Sequence, residues 1–242
     1  MRFHAERLIH AGRRRLTRSS KVAPAVVSRV RQDGLSYLDE AALVSLYEAV
    51  ERCEAQGIEG SVIEAGCAEG GSAIVMAAAK RSSRPMFVYD VFGTIPAPSG
   101  RDGDDVHQRY DVITRGAAQG LGGRPYYGYQ QDLRSEVVDS FARLGVPTHL
   151  FCVTLVQGLF EDTLRPGGQV AFAHIDGDWY DSVRIALERI LPALAPGGAV
   201  VVDDYFAWSG CNDAVNDVCR DLSNDYVVHR WRYPRLRIVR RT

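Results

Sequence analysis

This sequence of 242 residues has no excess of basic charge. Lysine and arginine together number 29 against 30 aspartate and glutamate residues, and the formal net charge is -1. Proteins that bind nucleic acid usually carry a basic surplus, so we expect no nucleic-acid partner. Apolar runs of about 18 residues are also lacking. We therefore expect no membrane-spanning helix, no signal peptide and no membrane partner.

Cysteines are few, and their spacing indicates no pairing. The five lie at positions 53, 67, 152, 211 and 219, without any C-x-x-C pair. This pattern argues against a disulfide framework or a structural zinc site, and it predicts a reducing, cytoplasmic setting. The first 20 residues contain six arginines and one acid. They indicate a solvated basic helix or arm, with a transit peptide as the alternative.

Short apolar segments alternate with amphipathic ones along most of the chain. Such alternation predicts an α/β fold of the Rossmann-like type, with a mostly parallel sheet and helices on both faces. Two C-terminal strands lie too close together for a helical crossover and should form an antiparallel edge. The expected strands are 61–65, 86–90, 153–156, 169–174, 199–203, 225–229 and 236–239, and the expected helices are 38–54, 71–80, 105–115, 136–144 and 180–190.

One domain with additions accounts for the length. The composition, 46% hydrophobic and 24% charged, is typical of a soluble globular protein. Residues 1–57 are predicted to form a basic arm and a helical cap, and residues 58–242 the main α/β domain. The segment at about 93–132 is rich in glycine, proline, aspartate and tyrosine, and we expect it to be a lid inserted into that domain.

The sharpest local signal is the turn after the first predicted strand. The sequence from Val62 to Ser72 reads V-I-E-A-G-C-A-E-G-G-S. A strand followed by a glycine turn and a helix start presents backbone N–H groups to a ligand. Ala68 stands where a dinucleotide fingerprint has its second glycine, and Glu64 lies two residues before Gly66. A carboxylate there suits a cationic amino-acid ligand better than a pyrophosphate, which favours S-adenosylmethionine (SAM) over NAD.

Two later segments fit the same kind of ligand. Asp90 ends the second predicted strand about 20 residues after Gly70, where an acid binds ribose hydroxyls in nucleotide-binding α/β folds. Gly158 and Phe160 follow the third strand. The ring of Phe160 would pack on an adenine face, although an ordinary core position is equally compatible with the sequence.

Four aspartates close two neighbouring strands. Asp176 and Asp178 lie in H-I-D-G-D-W-Y, and Asp203 and Asp204 in V-V-V-D-D-Y. Ligands of open α/β sheets bind at the carboxyl ends of the strands. Two unit charges about 4 Å apart interact by roughly 4 kcal/mol at an effective dielectric constant of 20, so a cation is expected among the four carboxylates. Oxygen ligands favour Mg²⁺, Mn²⁺ or Ca²⁺ over zinc, whereas capping of the following helices is the alternative.

Three further features have less specific interpretations. His174 precedes the acidic cluster and is either a general base or a buried structural histidine. The segment 126–129 contains three tyrosines, which either line an acceptor pocket or cover the core. In the last predicted strand Arg235 and Arg237 alternate with apolar residues. That alternation predicts a strand with one solvated face, on which the arginines need no ligand.

Taken together, these segments resemble the macrocin O-methyltransferase family, which includes the mycinamicin and novobiocin sugar methyltransferases. The resemblance covers about residues 36–220. It implies a class I methyltransferase fold with a seven-stranded sheet, and a SAM- and metal-dependent O-methyltransferase that acts on one of two vicinal hydroxyls, commonly on the sugar of an antibiotic. The acceptor would be a glycosylated or polyhydroxylated small molecule. The ordered motifs are E-A-G-C-A-E-G-G-S, Y-D-V-F-G, G-L-F-E-D-T-L, H-I-D-G-D-W-Y and P-G-G-A-V-V-V-D-D-Y.

The resemblance also implies roles for individual residues. Asp178 would be the general base, and Mg²⁺ would be the metal. The segment Y-D-V-F-G at residues 89–93 is one residue shorter than the family's Y-D-T-F-E-G, so the acceptor side should differ. The implied metal ligands are Asp176, Asp203 and Asp204, and the predicted cofactor residues are Glu64, Gly66, Ala68, Ser72, Asp90, Gly158, Phe160 and Asp176.

This mechanism is chemically coherent, because a dication stabilises the alkoxide that develops on a weakly nucleophilic hydroxyl. An aspartate with an ordinary pKa of about 4 is a weak base unless burial and neighbouring carboxylates raise that pKa. The alternatives are an NAD-dependent reductase, a non-catalytic SAM-binding scaffold and a metal-dependent hydrolase. The hydrolase leaves Asp90 and the glycine turn without a role. A homo-oligomer is expected, with dimerisation through the N-terminal helices.

Overall fold

The computed structural model describes residues 24–231 and 235–242. Within these residues one seven-stranded sheet is flanked by helices on both faces. The strands are β1 (Ser61–Ala65), β2 (Met86–Asp90), β3 (Val153–Gln157), β4 (Val170–Ile175), β5 (Leu194–Val202), β6 (Tyr226–Arg230) and β7 (Leu236–Arg240). The helices are α1 (Ala25–Gln32), α2 (Glu40–Ala55), α3 (Gly71–Ala79), α4 (Asp104–Thr114), α5 (Leu133–Arg143), α6 (Phe160–Thr163), α7 (Tyr180–Ile190) and α8 (Ser209–Arg220).

The strand order in the sheet is β3-β2-β1-β4-β5-β7-β6. The first five strands are parallel, because helical segments return the chain to the same end of the sheet. β7 is antiparallel to both β5 and β6, as the short connection between the last two strands requires. The predicted fold class is confirmed. The order reverses between β1 and β4, and in open α/β sheets a ligand crevice lies at such a point.

Both faces of the sheet are buried, and successive residues of a strand alternate between two apolar cores. Val62 belongs to the core that contains α1, α2, α3 and α5, whereas Ile63 belongs to the core under α7 and α8. Likewise, Phe172 belongs to the first of these cores and Ala173 to the second. A strand buried on both faces is a nearly continuous apolar run, and this is why the central strands were recognisable in the sequence.

The predicted bounds agree closely for β1, β2 and α7, but the N-terminal helical region and β5 differ. α1 was not predicted, because it contributes only Val27 and Val30 to the core and its remaining residues give little periodic signal. β5 begins at Leu194, five residues before the predicted strand, and its register shifts beside β4. The arginine-rich first 20 residues lie outside the described residues. Among the described residues, no helix is both long and apolar enough to cross a membrane.

Residues 93–132, called the insertion below, contain α4 and two short 3₁₀ turns. The insertion is attached to the helices that follow the acidic strand ends. Asp102 Oδ1 accepts a hydrogen bond from the backbone N–H of Tyr180 at 2.8 Å, and Asp105 Oδ2 accepts one from the N–H of Ser209 at 2.9 Å. The insertion therefore caps α7 and α8 from outside both helices.

Candidate active site

A cavity of about 720 Å³ opens at the carboxyl ends of the central strands. It lies where the strand order reverses, at the position expected of a ligand crevice. The glycine turn, the insertion and the acidic segments each contribute to its wall. Its lining includes Tyr37, Gly66, Ala68, Asp90, Arg109, Tyr126, Tyr127, Phe160, Asp176, Asp178, Trp179, Asp203, Asp204, Trp208 and Arg235.

The turn after β1 is packed directly on the end of β4. Gly66 has a φ of +89°, and a Cβ there would overlap the carbonyl oxygen of Asp176. The Gly66 N–H donates to Tyr89 O at 2.8 Å, and the Cys67 N–H donates to Asp90 Oδ2 at 2.7 Å. Ala68 adopts a φ of 46°, which is unusual for a residue with a side chain. The turn thus holds its backbone and Asp90 together on one side of the cavity.

Asp90, Gly158 and Phe160 occupy different positions around this turn. Asp90 lines the cavity, and its Oδ1 accepts the Phe92 N–H at 2.7 Å. Burial raises the pKa of this carboxyl. Phe160 also lines the cavity, as an adenine-packing ring requires. Gly158 donates its N–H to Asp90 O at 3.0 Å and lies outside the cavity wall. The structure gives it a supporting position behind Asp90.

Glu64 and Ser72 lie behind the turn and do not line the cavity. The Ser72 hydroxyl donates to Glu64 Oε1, and His174 Nδ1 lies 3.2 Å from both oxygens of the same carboxylate. Glu64 is fully buried. Its position supports the turn from below.

His174 bridges two carboxylates. Its Nε2 lies 3.4 Å from Asp203 Oδ1, so both ring nitrogens face carboxylates, and the side chain is 0% exposed. Burial alone would lower the pKa of His174, but the charge of Glu64 and the hydrogen bonds with Asp203 and Glu64 raise it to about 10. The geometry does not favour the predicted role as general base, because the side chain is fully buried between two carboxylates and does not line the cavity.

Arg235 is the second partner of Asp203, and here the sequence-based prediction was wrong. The Arg235 Nε donates to Asp203 Oδ1, and Arg235 is only 5% exposed. Burial would raise the pKa of Asp203, but the hydrogen bond with His174 and the charges of His174 and Arg235 lower it. Arg237 is partly buried, its guanidinium lies 4.8 Å from the Trp231 ring centroid, and burial lowers its pKa.

The remaining three aspartates of the cluster form no salt bridge within 4.0 Å among the described residues, and the charge of Arg109 lowers the pKa of Asp178. Asp176, Asp178 and Asp204 each offer a carboxylate oxygen within 4.8 Å of the others. Burial, followed by the charges of neighbouring aspartates, raises the pKa of Asp176 to about 8. Burial likewise raises the pKa of Asp178 to about 6, against hydrogen bonds with Asp204 and Trp208 that lower it. Asp204 Oδ2 is buried without a hydrogen-bond partner among the described residues.

These three carboxylates fit a hard divalent cation. An orphaned buried oxygen and a cluster of negative charge are both destabilising until a cation satisfies them. The alternative interpretation, helix capping, does not describe the arrangement, because Asp102 and Asp105 bind the first backbone N–H groups of α7 and α8. Asp178 has a positive φ of 52°, a strained conformation of the kind that persists at functional sites.

The tyrosine-rich segment is divided between cavity and scaffold. Tyr126 and Tyr127 line the cavity, with ring centroids 4.3 Å apart. Tyr129 instead donates its hydroxyl to Ile113 O at 2.6 Å and holds the insertion together. Two of the three tyrosines thus line the cavity, and their contact with an acceptor stays a prediction.

Comparison with known proteins identifies the family. Residues 30–224 match the family described as macrocin O-methyltransferase (TylF). The chain belongs to the macrocin O-methyltransferase family. It is accordingly a SAM-dependent O-methyltransferase. This membership disfavours the NAD-dependent reductase and the hydrolase considered from the sequence.

Three curated relatives are O-methyltransferases. The 8-demethyl-8-(2,3-dimethoxy-alpha-L-rhamnosyl)-tetracenomycin-C 4'-O-methyltransferase of Streptomyces olivaceus is 33% identical over 202 residues, which cover 81% of this chain and 67% of that protein. Demethyldecarbamoylnovobiocin O-methyltransferase of Streptomyces niveus is 29% identical, with 72% and 64% covered. Mycinamicin III 3''-O-methyltransferase of Micromonospora griseorubida is 28% identical, with 80% and 76% covered. The match thus spans about two thirds of the first two relatives.

Solved structures share the fold of this macrocin-family methyltransferase. The O-methyltransferase NovP superposes with a TM-score of 0.70 at 23% identity, covering 86% of this chain and 83% of NovP. The O-methyltransferase TomG from Streptomyces achromogenes, solved in complex with SAM, superposes with a TM-score of 0.59 at 14% identity, covering 90% and 91%. At these identities the likeness shows the fold.

Several cavity residues were missed in the sequence. Arg109, Trp179 and Trp208 line the cavity, as does Tyr37 from the segment before α2. Trp179 had a usable signal, since it directly follows Asp178 in H-I-D-G-D-W-Y. Arg109 lies in a helix whose sequence reads as solvated, so no local pattern distinguished it. Arg235 lies beyond residue 224, where the family match ends.

Proposed function

We propose that this enzyme transfers the methyl group of SAM to one of two vicinal hydroxyls on the sugar of a natural product, with Mg²⁺ as the metal. The observation that carries the proposal is the cluster of Asp176, Asp178 and Asp204 beside the glycine turn, where Gly66 packs on the backbone of Asp176. Methyl donor and acidic cluster would share one cavity. The activities of the tetracenomycin and novobiocin relatives also support a glycosylated or polyhydroxylated small-molecule acceptor.

The proposed metal ligands are Asp176, Asp203 and Asp204. Asp176 and Asp204 belong both to this set and to the geometric cluster. Asp203 lines the same cavity, with its Oδ1 engaged by Arg235. Carboxylate oxygens without nitrogen or sulfur donors suit Mg²⁺, and such a dication, when bound, stabilises negative charge that develops on an acceptor oxygen.

Asp178 is the proposed general base. It lines the cavity and is not held by a salt bridge within 4.0 Å among the described residues, so a carboxylate oxygen can receive the proton of the acceptor hydroxyl. Its pKa of about 6, raised mainly by burial, brings it closer to neutral pH than an ordinary aspartate. The acceptor oxygen then bonds to the methyl carbon while the carbon–sulfur bond breaks, and S-adenosylhomocysteine (SAH) leaves.

Binding and turnover together test the proposal. SAH binding is measured by isothermal titration calorimetry with and without Mg²⁺, and Mn²⁺ binding by electron paramagnetic resonance. An acceptor panel compares vicinal diol sugars with their monodeoxy analogues. Micromolar SAH affinity and turnover confined to the diols are expected. Failure of SAH to bind would refute the cofactor assignment, and equal turnover of the deoxy sugars would refute the vicinal requirement.

The variants D178N and D204N distinguish the role of a general base from that of a metal ligand. D178N is expected to lower kcat by about 10²–10⁴-fold while Mn²⁺ and SAH still bind. D204N is expected to abolish the Mn²⁺ signal and leave SAH binding intact. If D178N retains full turnover, Asp178 is not the base. If the wild-type protein turns over no acceptor at all, the result favours the non-catalytic scaffold. A D203N variant that keeps wild-type Mn²⁺ affinity would remove Asp203 from the ligand set.

A further inference from the structure

The cavity has a second distinctive part beside the acidic cluster, formed by Tyr37, Tyr126 and Tyr127 and called the aromatic wall below. The rings of Tyr37 and Tyr127 stand edge to face, with centroids 6.1 Å apart, and those of Tyr126 and Tyr127 are tilted at 4.3 Å. Burial, with a contribution from the charge of Asp178, raises the pKa of Tyr126 to about 12. The aromatic wall and the proposed base line the same cavity.

Arg109 of α4 completes this part of the cavity. Its guanidinium carbon lies 5.7 Å from the centroid of the Tyr126 ring. Three other arginines of the insertion form ion pairs with carboxylates, namely Arg101 with Asp217, Arg115 with Asp111 and Arg124 with Glu69. Arg109 forms no ion pair within 4.0 Å in the described part of the chain. Its planar cation lines the cavity, where it contacts the Tyr126 ring and where its charge lowers the pKa of Asp178.

Tyr37 supports the same conclusion from another segment. It is 45% exposed although it lines the cavity and contacts Tyr127. A large ring that only closed the core would be buried, as Tyr126 is. Tyr37 and Arg109 thus leave an aromatic face and a planar cation accessible to whatever occupies the space next to the acidic cluster.

We propose that Tyr37 and Arg109 bind the aglycone of the acceptor and select a planar, oxygenated aromatic ring system; this inference rests on the proposed sugar O-methylation at the acidic cluster. Guanidinium groups stack on π faces and donate hydrogen bonds to oxygens in their own plane, so one side chain recognises both properties of such a ring. Tyrosine rings add offset or edge contacts. An aliphatic aglycone of similar size offers neither a π face nor an in-plane oxygen acceptor.

The test compares two glycosides of one sugar, 4-nitrophenyl α-L-rhamnopyranoside and methyl α-L-rhamnopyranoside. Their binding to the full-length protein saturated with SAH and Mg²⁺ is measured by isothermal titration calorimetry. SAH binding is recorded first and separately, because its failure strikes the proposed function rather than the aglycone subsite. The aryl glycoside is expected to bind about tenfold tighter than the methyl glycoside, the size of one or two cation–π or stacking contacts.

The variants R109M and Y37L should each reduce this preference, and the double variant should bring the ratio of the two affinities close to one. SAH affinity should stay within about twofold of wild type in all three. R115M is the matched control, because Arg115 directly follows the same helix and is exposed outside the cavity. It should keep the wild-type ratio. Three outcomes would each overturn the proposal. The wild-type protein could bind the two glycosides with equal affinity, or the double variant could keep the wild-type preference. The aryl glycoside could also fail to bind although SAH binds.

Discussion

Gly66 shows how strictly a single residue can be determined at this site. Its φ of +89° disfavours any L side chain, and a Cβ would overlap the Asp176 carbonyl oxygen, which is backbone and cannot rotate away. The residue therefore allows the glycine turn to pack closely on the backbone of Asp176 in the acidic cluster.

Replacement of Gly66 by alanine is expected to lower the free energy of unfolding by about 2–4 kcal/mol and to weaken SAH binding, because the turn must move away from β4. Urea denaturation and calorimetry measure the two effects. Gly167→Ala is the control, since a Cβ there meets nothing within 4 Å, and it should change stability by at most about 0.5 kcal/mol. Wild-type SAH affinity in the Gly66 variant would contradict the role assigned to the turn.

Lys80 is a buried cation outside the active site. Its Nζ donates to the Phe151 carbonyl, and the residue is 4% exposed. Burial lowers its pKa from 10.5 to about 8. Between these pH values the unfolded chain binds the proton and the folded chain does not, so this residue makes stability rise as the pH increases from about 8 to 10.5.

The variant Lys80→Met should lack this rise. The free energy of unfolding of Lys80→Met relative to wild type should be more favourable at pH 7.5 than at pH 10. Between these two pH values the difference should shift by about 1–3 kcal/mol in favour of wild type. Urea unfolding at several pH values gives the comparison directly. A stability difference that does not depend on pH would show that Lys80 titrates at its ordinary value.

The insertion is an element whose position depends on two aspartates. Asp102 and Asp105 cap α7 and α8, and these helices follow the two acidic strand ends. The insertion and the acidic cluster are thereby linked through the first residues of these two helices.

Asp102→Ala should lower stability by about 1–2 kcal/mol, as loss of a helix cap does, and should accelerate amide hydrogen exchange throughout residues 93–132. Asp104→Ala changes a neighbouring, exposed aspartate in the first turn of α4 and is the matched control. Equal exchange rates in the two variants would mean that the cap does not hold the insertion. A rise in acceptor KM with unchanged SAH affinity should accompany the faster exchange.

The antiparallel strand β7 contributes a charge to the site through the residue that precedes it. Arg235 completes a buried row, Glu64–His174–Asp203–Arg235, in which negative and positive groups alternate across four strands or their ends. Such a row is stable only while every charge keeps its partner.

Arg235→Met is expected to cost about 3–5 kcal/mol of unfolding free energy, because it leaves a buried carboxylate with one partner fewer. Adding D203N should recover part of that loss, so the double variant should be more stable than the two single effects predict together. Arg241→Met, at an exposed position after the same strand, should be nearly neutral. Strict additivity of the Arg235 and Asp203 effects would argue against the row.

At the scale of the whole molecule, ligand binding should stabilise the folded chain. SAH at about 100 times its Kd should add about 2.7 kcal/mol, which corresponds to a Tm increase of roughly 5–10 °C for a domain of this size. Mg²⁺ should add a separate increase that EDTA removes. In D204N the SAH increase should persist and the Mg²⁺ increase should vanish. Loss of both increases in EDTA would mean that the cofactor site requires the metal.

The sequence by itself determined the fold class and which segments lie at the carboxyl edge of the sheet. Strands buried on both faces are continuous apolar runs, and a glycine turn or a pair of aspartates after such a run must lie at the carboxyl edge of the sheet. Local patterns therefore placed Gly66, Asp90, Asp176 and Asp178 correctly along the cavity edge. The exact bounds of β1 and β2 followed for the same reason.

Only the tertiary structure decided which charges meet. Glu64 and His174 are 110 residues apart, and Asp203 and Arg235 are 32 apart, so no local period records their contact. The alternation around Arg235 reads as a solvated face, yet packing at the end of β7 buries that guanidinium on Asp203. Burial and electrostatic pairing depend on neighbours brought together by the sheet order. This is why the burial of His174 between two carboxylates and the accessible cation of Arg109 could be read only from the folded chain.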